Sequence, residues 1–194
     1  MNRFYRLGVL LFLIAVLPLK AQKIDEVYNQ KIREFTTDKR FLPEFLLDVV
    51  DHPTIPSPLK HFGHIIGAEG HVHRSAEIYG YYQKLAETSP LVHMQEMGKT
   101  EEGRPFYLIV IGNEDAIKRL DHYKSQLAKL ADPRKTSPEQ AETIILDSKP
   151  VYYVSGGMHA TEMGSPEALM ELAYRLATSQ SSDIKDIRDN VITV

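Results

Sequence analysis

The chain has 194 residues, of which 43% are hydrophobic, and this is enough for a sizeable buried core in one domain or slightly more. A formal net charge of −3 and a pI near 6.2 lack the basic excess that binding to nucleic acid requires, so nucleic acid is not an expected partner. There is no cysteine, which excludes disulfides, thiolate metal ligands and cysteine nucleophiles. Any metal ion must therefore be held by His, Asp or Glu.

The first 21 residues have the pattern of a secretory signal peptide. Arg3 and Arg6 accompany an apolar run from Leu7 to Leu19, and Ala21 is a small residue suited to cleavage. The run is short for a membrane anchor, since a helix rises about 1.5 Å per residue and the bilayer core is roughly 30 Å thick. We expect an exported protein, secreted or periplasmic, without stable membrane insertion after cleavage.

Residues 22–60 predict an amino-terminal entry segment, because mixed charged residues, a short apolar cluster and several prolines follow one another there. Residues 61–194 predict the first part of the main domain. Its last residues, Val191 to Val194, have the pattern of a strand and no polar tail, which is an unusual end for a domain. We therefore expect this domain to be incomplete at its C-terminus.

Helical spacing of apolar residues predicts a helix over 76–87, with Ser75 as its N-cap. Alternation over 92–97 and a dense apolar run over 106–111 predict two strands, and the polar turn between them indicates an antiparallel hairpin. The rest of the pattern predicts, in order, a helix from Asn113 or Glu114 to Leu130, a helix over 138–147, a strand over 151–155, a helix from Pro166, a helix over 183–189 and a strand over 191–194. The expected fold is α/β, with a mixed central sheet flanked by helices.

The segment from Gly156 to Glu162 joins the strand at 151–155 to the next helix, at the sheet edge where α/β folds place their ligands. His159 and Glu162 can converge on one ion if the backbone between them turns, and zinc accepts this mixture of nitrogen and oxygen ligands. The preceding glycines permit such a turn. We predict that His159 and Glu162 bind a metal ion; the alternative from spacing alone is a hydrogen-bonded structural histidine.

A second His-x-x-Glu pattern occurs at His93 and Glu96. In the predicted strand over 92–97, side chains three residues apart point to opposite faces of the sheet. The sequence therefore predicts that these two side chains do not share a metal ion.

The remaining histidines and the tyrosines receive structural interpretations. Four histidines in a glycine-rich stretch are interpreted as solvated loop residues that lack a suitably spaced carboxylate and can lie at the rim of the site: His61, His64, His71 and His73. Three tyrosines are interpreted as helix packing residues: Tyr79, Tyr81 and Tyr82.

These motifs resemble those of the zinc metallocarboxypeptidase family, the carboxypeptidase A/B-like enzymes, and especially its bacterial exported members. The resemblance runs from about Phe41 to Val194. Its motifs are the stretch 157–162, similar to the first metal motif of the family; 98–104, similar to its first hairpin; 165–167, similar to its next helix start; and 57–64 and 79–82, similar to the bacterial subgroup.

The resemblance implies a zinc carboxypeptidase-like three-layer sandwich and one Zn²⁺ ion, with His159 and Glu162 as its first two ligands. It implies a protease that hydrolyses the C-terminal bonds of peptides or proteins. The remaining His ligand, the catalytic Glu and the arginines that bind substrate are implied to lie beyond Val194, so no catalytic or substrate-binding residue of this chain is assigned. The chain is accordingly expected to be an inactive fragment.

Two alternatives remain open from the sequence. One is a zinc-dependent amidase, deacylase or cell-wall peptide hydrolase of the same fold. The other is a non-catalytic binding module that retains the fold without the chemistry.

Overall fold

The computed structural model describes residues 22–194, so the predicted signal peptide lies outside the described residues. The described chain folds into helices packed around a four-stranded sheet. The helices are α1 (Glu26–Phe35), α2 (Pro58–Phe62), α3 (Ser75–Thr88), α4 (Glu114–Lys118), α5 (Leu120–Leu130), α6 (Pro138–Asp147), α7 (Gly164–Thr178) and α8 (Ser182–Asn190). The strands are β1 (Val92–Lys99), β2 (Pro105–Ile111), β3 (Val151–Tyr152) and β4 (Ile192–Thr193).

The sheet is mixed, with strand order β1-β2-β4-β3. β1 and β2 form the predicted antiparallel hairpin, in which Val92 pairs with Ile111, and the register shifts by a bulge between Glu96 and Gly98. β2 pairs antiparallel with β4, and β4 pairs parallel with β3. The neighbour of β2 in the sheet is therefore β4, the last of the described strands in chain order, and the segment 156–162 leaves the sheet from its β3 edge.

Helices cover both faces of the sheet, as predicted for a three-layer arrangement. Ile111 and Ile109 of β2 pack into a cluster with α3 and α7, whereas the alternate residues Val110 and Leu108 pack against α4 and α5. This division follows from the two-residue period of a strand, which sends successive side chains to opposite faces. The α/β fold class is confirmed.

The entry segment packs on the α7 side of the sheet. Tyr28 of α1 is fully buried and its hydroxyl donates to Glu171 at 2.8 Å, and the Tyr174 hydroxyl donates to the Val50 carbonyl at 2.6 Å. Residues from the entry segment and from α7 therefore share one core. The boundary after residue 60 stays a prediction.

Several element bounds differ from those predicted. The helix expected from 113 to 130 is divided at Arg119, whose φ of −109° and ψ of 20° leave the helical region, so α4 and α5 pack as two pieces. β3 ends at Tyr152 rather than at Ser155, because its partner strand β4 spans Ile192–Thr193 only.

Two further differences lie at helix starts. α3 begins at Ser75, so this residue is helical and Arg74 is the N-cap; the Glu77 carboxylate accepts a hydrogen bond from the Arg74 amide at 2.8 Å. α7 begins at Gly164, two residues before the predicted start, and Pro166 is accommodated because first-turn amides have no partner inside the helix.

Across residues 22–194, no helix is both long enough and apolar enough to cross a membrane.

Candidate metal site

The segment between β3 and α7 forms the turn that the two glycines predict. Gly157 has a φ of +75°, a conformation that residues with a Cβ atom rarely adopt. The Glu162 amide then donates to the His159 carbonyl at 3.0 Å, which closes one turn of backbone. This turn places the two side chains on the same side of the chain.

The His159 imidazole and the Glu162 carboxylate are in contact. His159 Nδ1 lies 2.7 Å from Glu162 Oε1, and the His159 amide donates to Glu162 Oε2 at 3.4 Å. Both side chains remain accessible, with exposed fractions of 70% and 48%. The structure therefore brings together the two residues that the sequence singles out, in a position that a ligand can reach.

The start of α7 packs closely against this turn. A Cβ atom on Gly156 would lie 2.7 Å from Ser165 Cβ, and one on Gly157 would lie 2.8 Å from Pro166 Cγ. Contacts this short do not occur between real carbon atoms, so only glycine permits the turn to lie on the helix start. The position of His159 and Glu162 thus depends on the packing of α7.

A cavity of about 720 Å³ opens beside the turn, between α3, β2 and α7. Most of its wall is apolar, which suits the binding of an organic ligand and the exclusion of water. The arginine, glutamate and histidine side chains of the wall lie on the loops before α3 and before α7, and they are His73, Arg74, His159 and Glu162.

The His159 and Glu162 donor atoms match zinc in chemistry and nearly match it in spacing. A neutral imidazole and a carboxylate are both zinc ligands, and two ligands of a tetrahedral zinc ion lie roughly 3.3 Å apart, given metal–ligand distances of about 2.0–2.1 Å. The present separation of 2.7 Å would need to widen by about half an ångström to admit an ion. Catalytic zinc sites use three protein ligands, and residues 22–194 hold no group of three or more His, Asp or Glu side chains placed to bind a metal ion. The pair fits zinc in chemistry but supplies part of a site.

The second His-x-x-Glu pattern has a different geometry. His93 and Glu96 lie within β1, opposite Val110 and Tyr107 of β2, and three residues apart in a strand they point to opposite faces. The strand assignment that separates the two patterns is confirmed.

The interpretation of the loop histidines as solvated residues is wrong for His73. Its side chain is 5% exposed and its Nδ1 lies 2.8 Å from Oε2 of Glu167, which is itself 9% exposed. His64 Nε2 lies 3.1 Å from His73 Nε2, and the His71 ring stacks on His64 with centroids 3.8 Å apart. His64 and His73 lie against α7 because a carboxylate distant in sequence is present, whereas His61 and His71 are exposed, as predicted.

Glu167 is the residue that sequence reasoning missed. It lies on the same stripe of α7 as Met170 and Tyr174, which are fully buried. Helical spacing therefore carried a signal: a carboxylate on an apolar stripe must find a hydrogen-bonding partner when buried. The spacing could not identify that partner, since His73 lies 94 residues earlier in the chain. The interpretation of the tyrosines as packing residues is confirmed, since Tyr81 and Tyr82 are buried and Tyr79 packs, partly buried, against the same core.

Comparison with known families identifies the class of protein to which the chain belongs. The model of the zinc carboxypeptidase family, Peptidase_M14, matches residues 78–194, which is more than half of the chain. The chain belongs to the zinc carboxypeptidase family. The resemblance over residues 41–77 and the assignment to a bacterial exported subgroup stay predictions, because the match begins at Ile78. No curated protein matches the chain significantly.

Proposed function

We propose that this chain is part of a zinc-dependent metallocarboxypeptidase that hydrolyses the C-terminal bonds of peptides or proteins, with His159 and Glu162 as two ligands of one Zn²⁺ ion. The observation that carries the proposal is the contact between His159 Nδ1 and Glu162 Oε1 at 2.7 Å, on a glycine turn that opens into the cavity. Family membership supports zinc as the ion and a peptide as the substrate class.

The residues of this chain have separate roles in the proposed site. Bound zinc supplies Lewis-acid chemistry, lowering the pKa of water and polarising a carbonyl. His159 provides a neutral nitrogen and Glu162 a carboxylate oxygen, and Gly157 holds the turn on which both lie. The apolar wall of the cavity excludes water and receives the substrate chain. The hydrogen bond between His159 Nδ1 and Glu162 Oε1 would have to open for both atoms to hold one ion.

Zinc binding by the native chain and by matched variants tests the ligand assignment. Because two protein ligands are fewer than a catalytic site uses, we expect weak binding of zinc by the chain. His159→Ala and Glu162→Gln should abolish it, whereas His93→Ala, which removes an exposed strand histidine with the same sequence pattern, should leave it unchanged. Isothermal titration with zinc in a buffer without chelators measures this, and equal effects of His159→Ala and His93→Ala would refute the assignment.

Hydrolysis of peptides tests the activity. We expect no measurable release of C-terminal residues by residues 22–194 alone in zinc-replete buffer, since the described residues supply part of a zinc site. In a longer protein that completes the site, His159→Ala should abolish peptidase activity while His93→Ala retains it. Robust hydrolysis by residues 22–194 alone would contradict this reading, and zinc binding without any hydrolysis in the longer protein would favour the non-catalytic binding module.

We further propose that the protein is exported, on the strength of the apolar run and the small residue at Ala21. Expression of the whole chain in a bacterial host should yield a mature protein that begins at Gln22 and lies outside the cytoplasm. N-terminal sequencing of the purified protein measures this. A product that keeps Met1 and stays in the cytoplasm would contradict the proposal.

A further inference from the structure

Two histidines of the loop between α2 and α3 face each other through one ring nitrogen each. His64 Nε2 lies 3.1 Å from His73 Nε2, and the two ring planes are inclined by 10°. Two nitrogens that bind the same ion at roughly 2.0 Å lie about 2.8 to 3.3 Å apart, for angles of about 90° to 109° at the metal. The separation of the two Nε2 atoms falls within this range, so one ion can contact both without movement of the loop.

The other ring nitrogen of His73 is held by a buried carboxylate. His73 Nδ1 lies 2.8 Å from Glu167 Oε2, and the His73 amide donates to Glu167 Oε1 at 2.7 Å. An ionised carboxylate accepts hydrogen bonds and cannot donate them, so the ring proton of a neutral His73 lies on Nδ1 and its Nε2 carries an unshared electron pair. Histidines that bind metal ions almost always donate their second ring N–H to a carboxylate, a carbonyl or water.

The two imidazoles are oriented before any ion binds. The Phe62 ring packs on His73 with centroids 4.0 Å apart, and the His71 ring stacks on His64 with centroids 3.8 Å apart. The side chains of His73 and Glu167 are only 5% and 9% exposed. Ligands that are already fixed lose little conformational freedom when an ion binds, which favours binding.

His64 provides the side from which an ion can enter. It is partly exposed, and the neighbouring Gly63 and His71 are exposed. Burial, followed by the like charges of His71 and His73, lowers the pKa of His64 from its ordinary value of 6.5. This shift favours the neutral imidazole, which is the form that binds metal ions.

The chemistry of the two ligands favours one ion in particular. Among the divalent ions of the first transition row, Cu²⁺ binds a given nitrogen site most tightly. It also accepts a tetragonal arrangement, in which water can complete the coordination. Within residues 22–194 no group of three or more His, Asp or Glu side chains is placed to bind one ion, so this pair would supply two ligands.

We propose that His64 and His73 form a second metal site, which binds Cu²⁺ through both Nε2 atoms. Glu167 acts through His73 as a positioning residue, because it fixes the proton on Nδ1 and the direction of the ring. The site is independent of the proposed zinc ligands His159 and Glu162.

Copper titration of the native chain tests the site without any substitution. With the first equivalent of Cu²⁺, the electron paramagnetic resonance spectrum should show coupling to two imidazole nitrogens. In NMR spectra at substoichiometric copper, the ring protons of His64 and His73 should broaden before those of His93 in β1 and His122 in α5. Both measurements are made without zinc or substrate.

Matched variants identify the ligands and the positioning residue. His64→Gln and His73→Gln keep a side chain that can form hydrogen bonds, and each should weaken copper binding by about 100-fold or more and remove one nitrogen coupling. Glu167→Gln should weaken binding by about tenfold to 100-fold, the usual effect of losing the partner of a metal-binding histidine, with both couplings retained. His93→Gln removes an exposed histidine, His159→Ala removes a proposed zinc ligand, and both should bind the first equivalent as the native chain does.

Several results would overturn the proposal. Broadening of all histidines at the same copper concentration would show that no specific site exists, and this native-chain measurement remains decisive if a variant does not fold. Unchanged copper binding in folded His64→Gln and His73→Gln would show a plain hydrogen bond between the two rings. Loss of the first equivalent in His159→Ala would place copper at the candidate zinc site instead. Failure of zinc to bind at His159 would refute the proposed function and leave the copper result unaffected.

Discussion

At the residue scale, the candidate metal site depends on one backbone conformation. Gly157 has a positive φ and lies against Pro166, and the turn it permits brings His159 Nδ1 within 2.7 Å of Glu162 Oε1. Neither ligand residue is held by burial, since both are accessible. The precision of the site therefore comes from the glycine and from the helix beneath it.

Replacement of Gly157 by alanine should disrupt the turn. A positive φ costs a residue with a Cβ atom roughly 1–2 kcal/mol, and the new Cβ would lie 2.8 Å from Pro166 Cγ. We expect Gly157→Ala to weaken zinc binding at least as much as loss of one ligand does, and to lower the unfolding midpoint. Isothermal titration and thermal denaturation measure the two effects.

Gly80 provides the matched control for this substitution. It lies inside α3 with open space around its Cα, so alanine there gains helix propensity, and Gly80→Ala should stabilise the chain by about 0.5–1 kcal/mol with zinc binding unchanged. Native-like zinc binding by Gly157→Ala would show that the turn does not determine the site.

At the element scale, α7 joins the site to the core. Its first turn carries Glu167, its buried stripe includes Met170 and Tyr174, and its last turn is held by Arg188 of α8. Arg188 is 6% exposed and donates to the carbonyls of Leu176 and Ser179, both at 2.7 Å. These are carbonyls that a helix end leaves without an internal partner, so Arg188 acts as a cap supplied by another helix.

Replacement of Arg188 by methionine should show how much this cap contributes. The change keeps an apolar stem of similar length but leaves two buried carbonyls without a donor. In the native chain, burial lowers the pKa of the Arg188 guanidinium that donates to them. We expect a loss of about 2–4 kcal/mol in the free energy of unfolding. Urea denaturation measures it, and Arg134→Met, which removes an exposed arginine paired with Asp132, should leave the midpoint unchanged. Equal midpoints for the two variants would refute the capping role.

At the scale of the whole molecule, the core is distributed on both faces of the sheet, and three histidines lie at its edge: His52, His61 and His64. His52 Nδ1 accepts hydrogen bonds from the Ile55 amide at 3.0 Å and from the Thr54 amide at 3.3 Å. Burial, and then Lys60, lowers the pKa of His52; burial is also the main cause of the lowered pKa values of His61 and His64. All three shifts favour the neutral imidazole in the folded state.

These shifts determine how stability depends on pH. Below the unfolded pKa of about 6.5 the unfolded chain binds more protons than the folded chain, so the free energy of unfolding rises with pH in this range. We expect full stability above about pH 6.5 and a progressive loss below it. Asp51, whose pKa is lowered to about 2 mainly by hydrogen bonds from Lys23 and Lys60, loses its contribution only as the pH falls below 3.8. Urea midpoints at pH 5.5 and 7.5 therefore report on the histidines.

His52→Asn tests this dependence. Asparagine keeps an acceptor near the position of Nδ1 but cannot take up a proton, so the difference between the two midpoints should become smaller than in the native chain. His93→Asn should leave the difference unchanged, because His93 is exposed in β1. A native chain with equal midpoints at both pH values would contradict the expectation.

Local pattern alone predicted the hairpin of β1 and β2, a helix start at Asn113 or Glu114, the helix over 138–147, and the turn that carries His159 and Glu162. Each of these depends on residues within one or two turns of chain, where the two-residue and 3.6-residue periods, proline and glycine act directly. The same short motifs were sufficient to predict the zinc carboxypeptidase family, which is confirmed by the match over residues 78–194.

Only the tertiary structure decided which distant groups meet. It places β4 between β2 and β3, divides the helix at Arg119, and joins Glu167 to His73 across 94 residues of sequence. The reason is physical: a buried carboxylate on an apolar stripe must acquire a partner, but sequence spacing specifies faces and periods, whereas the partner is chosen by how separate elements pack.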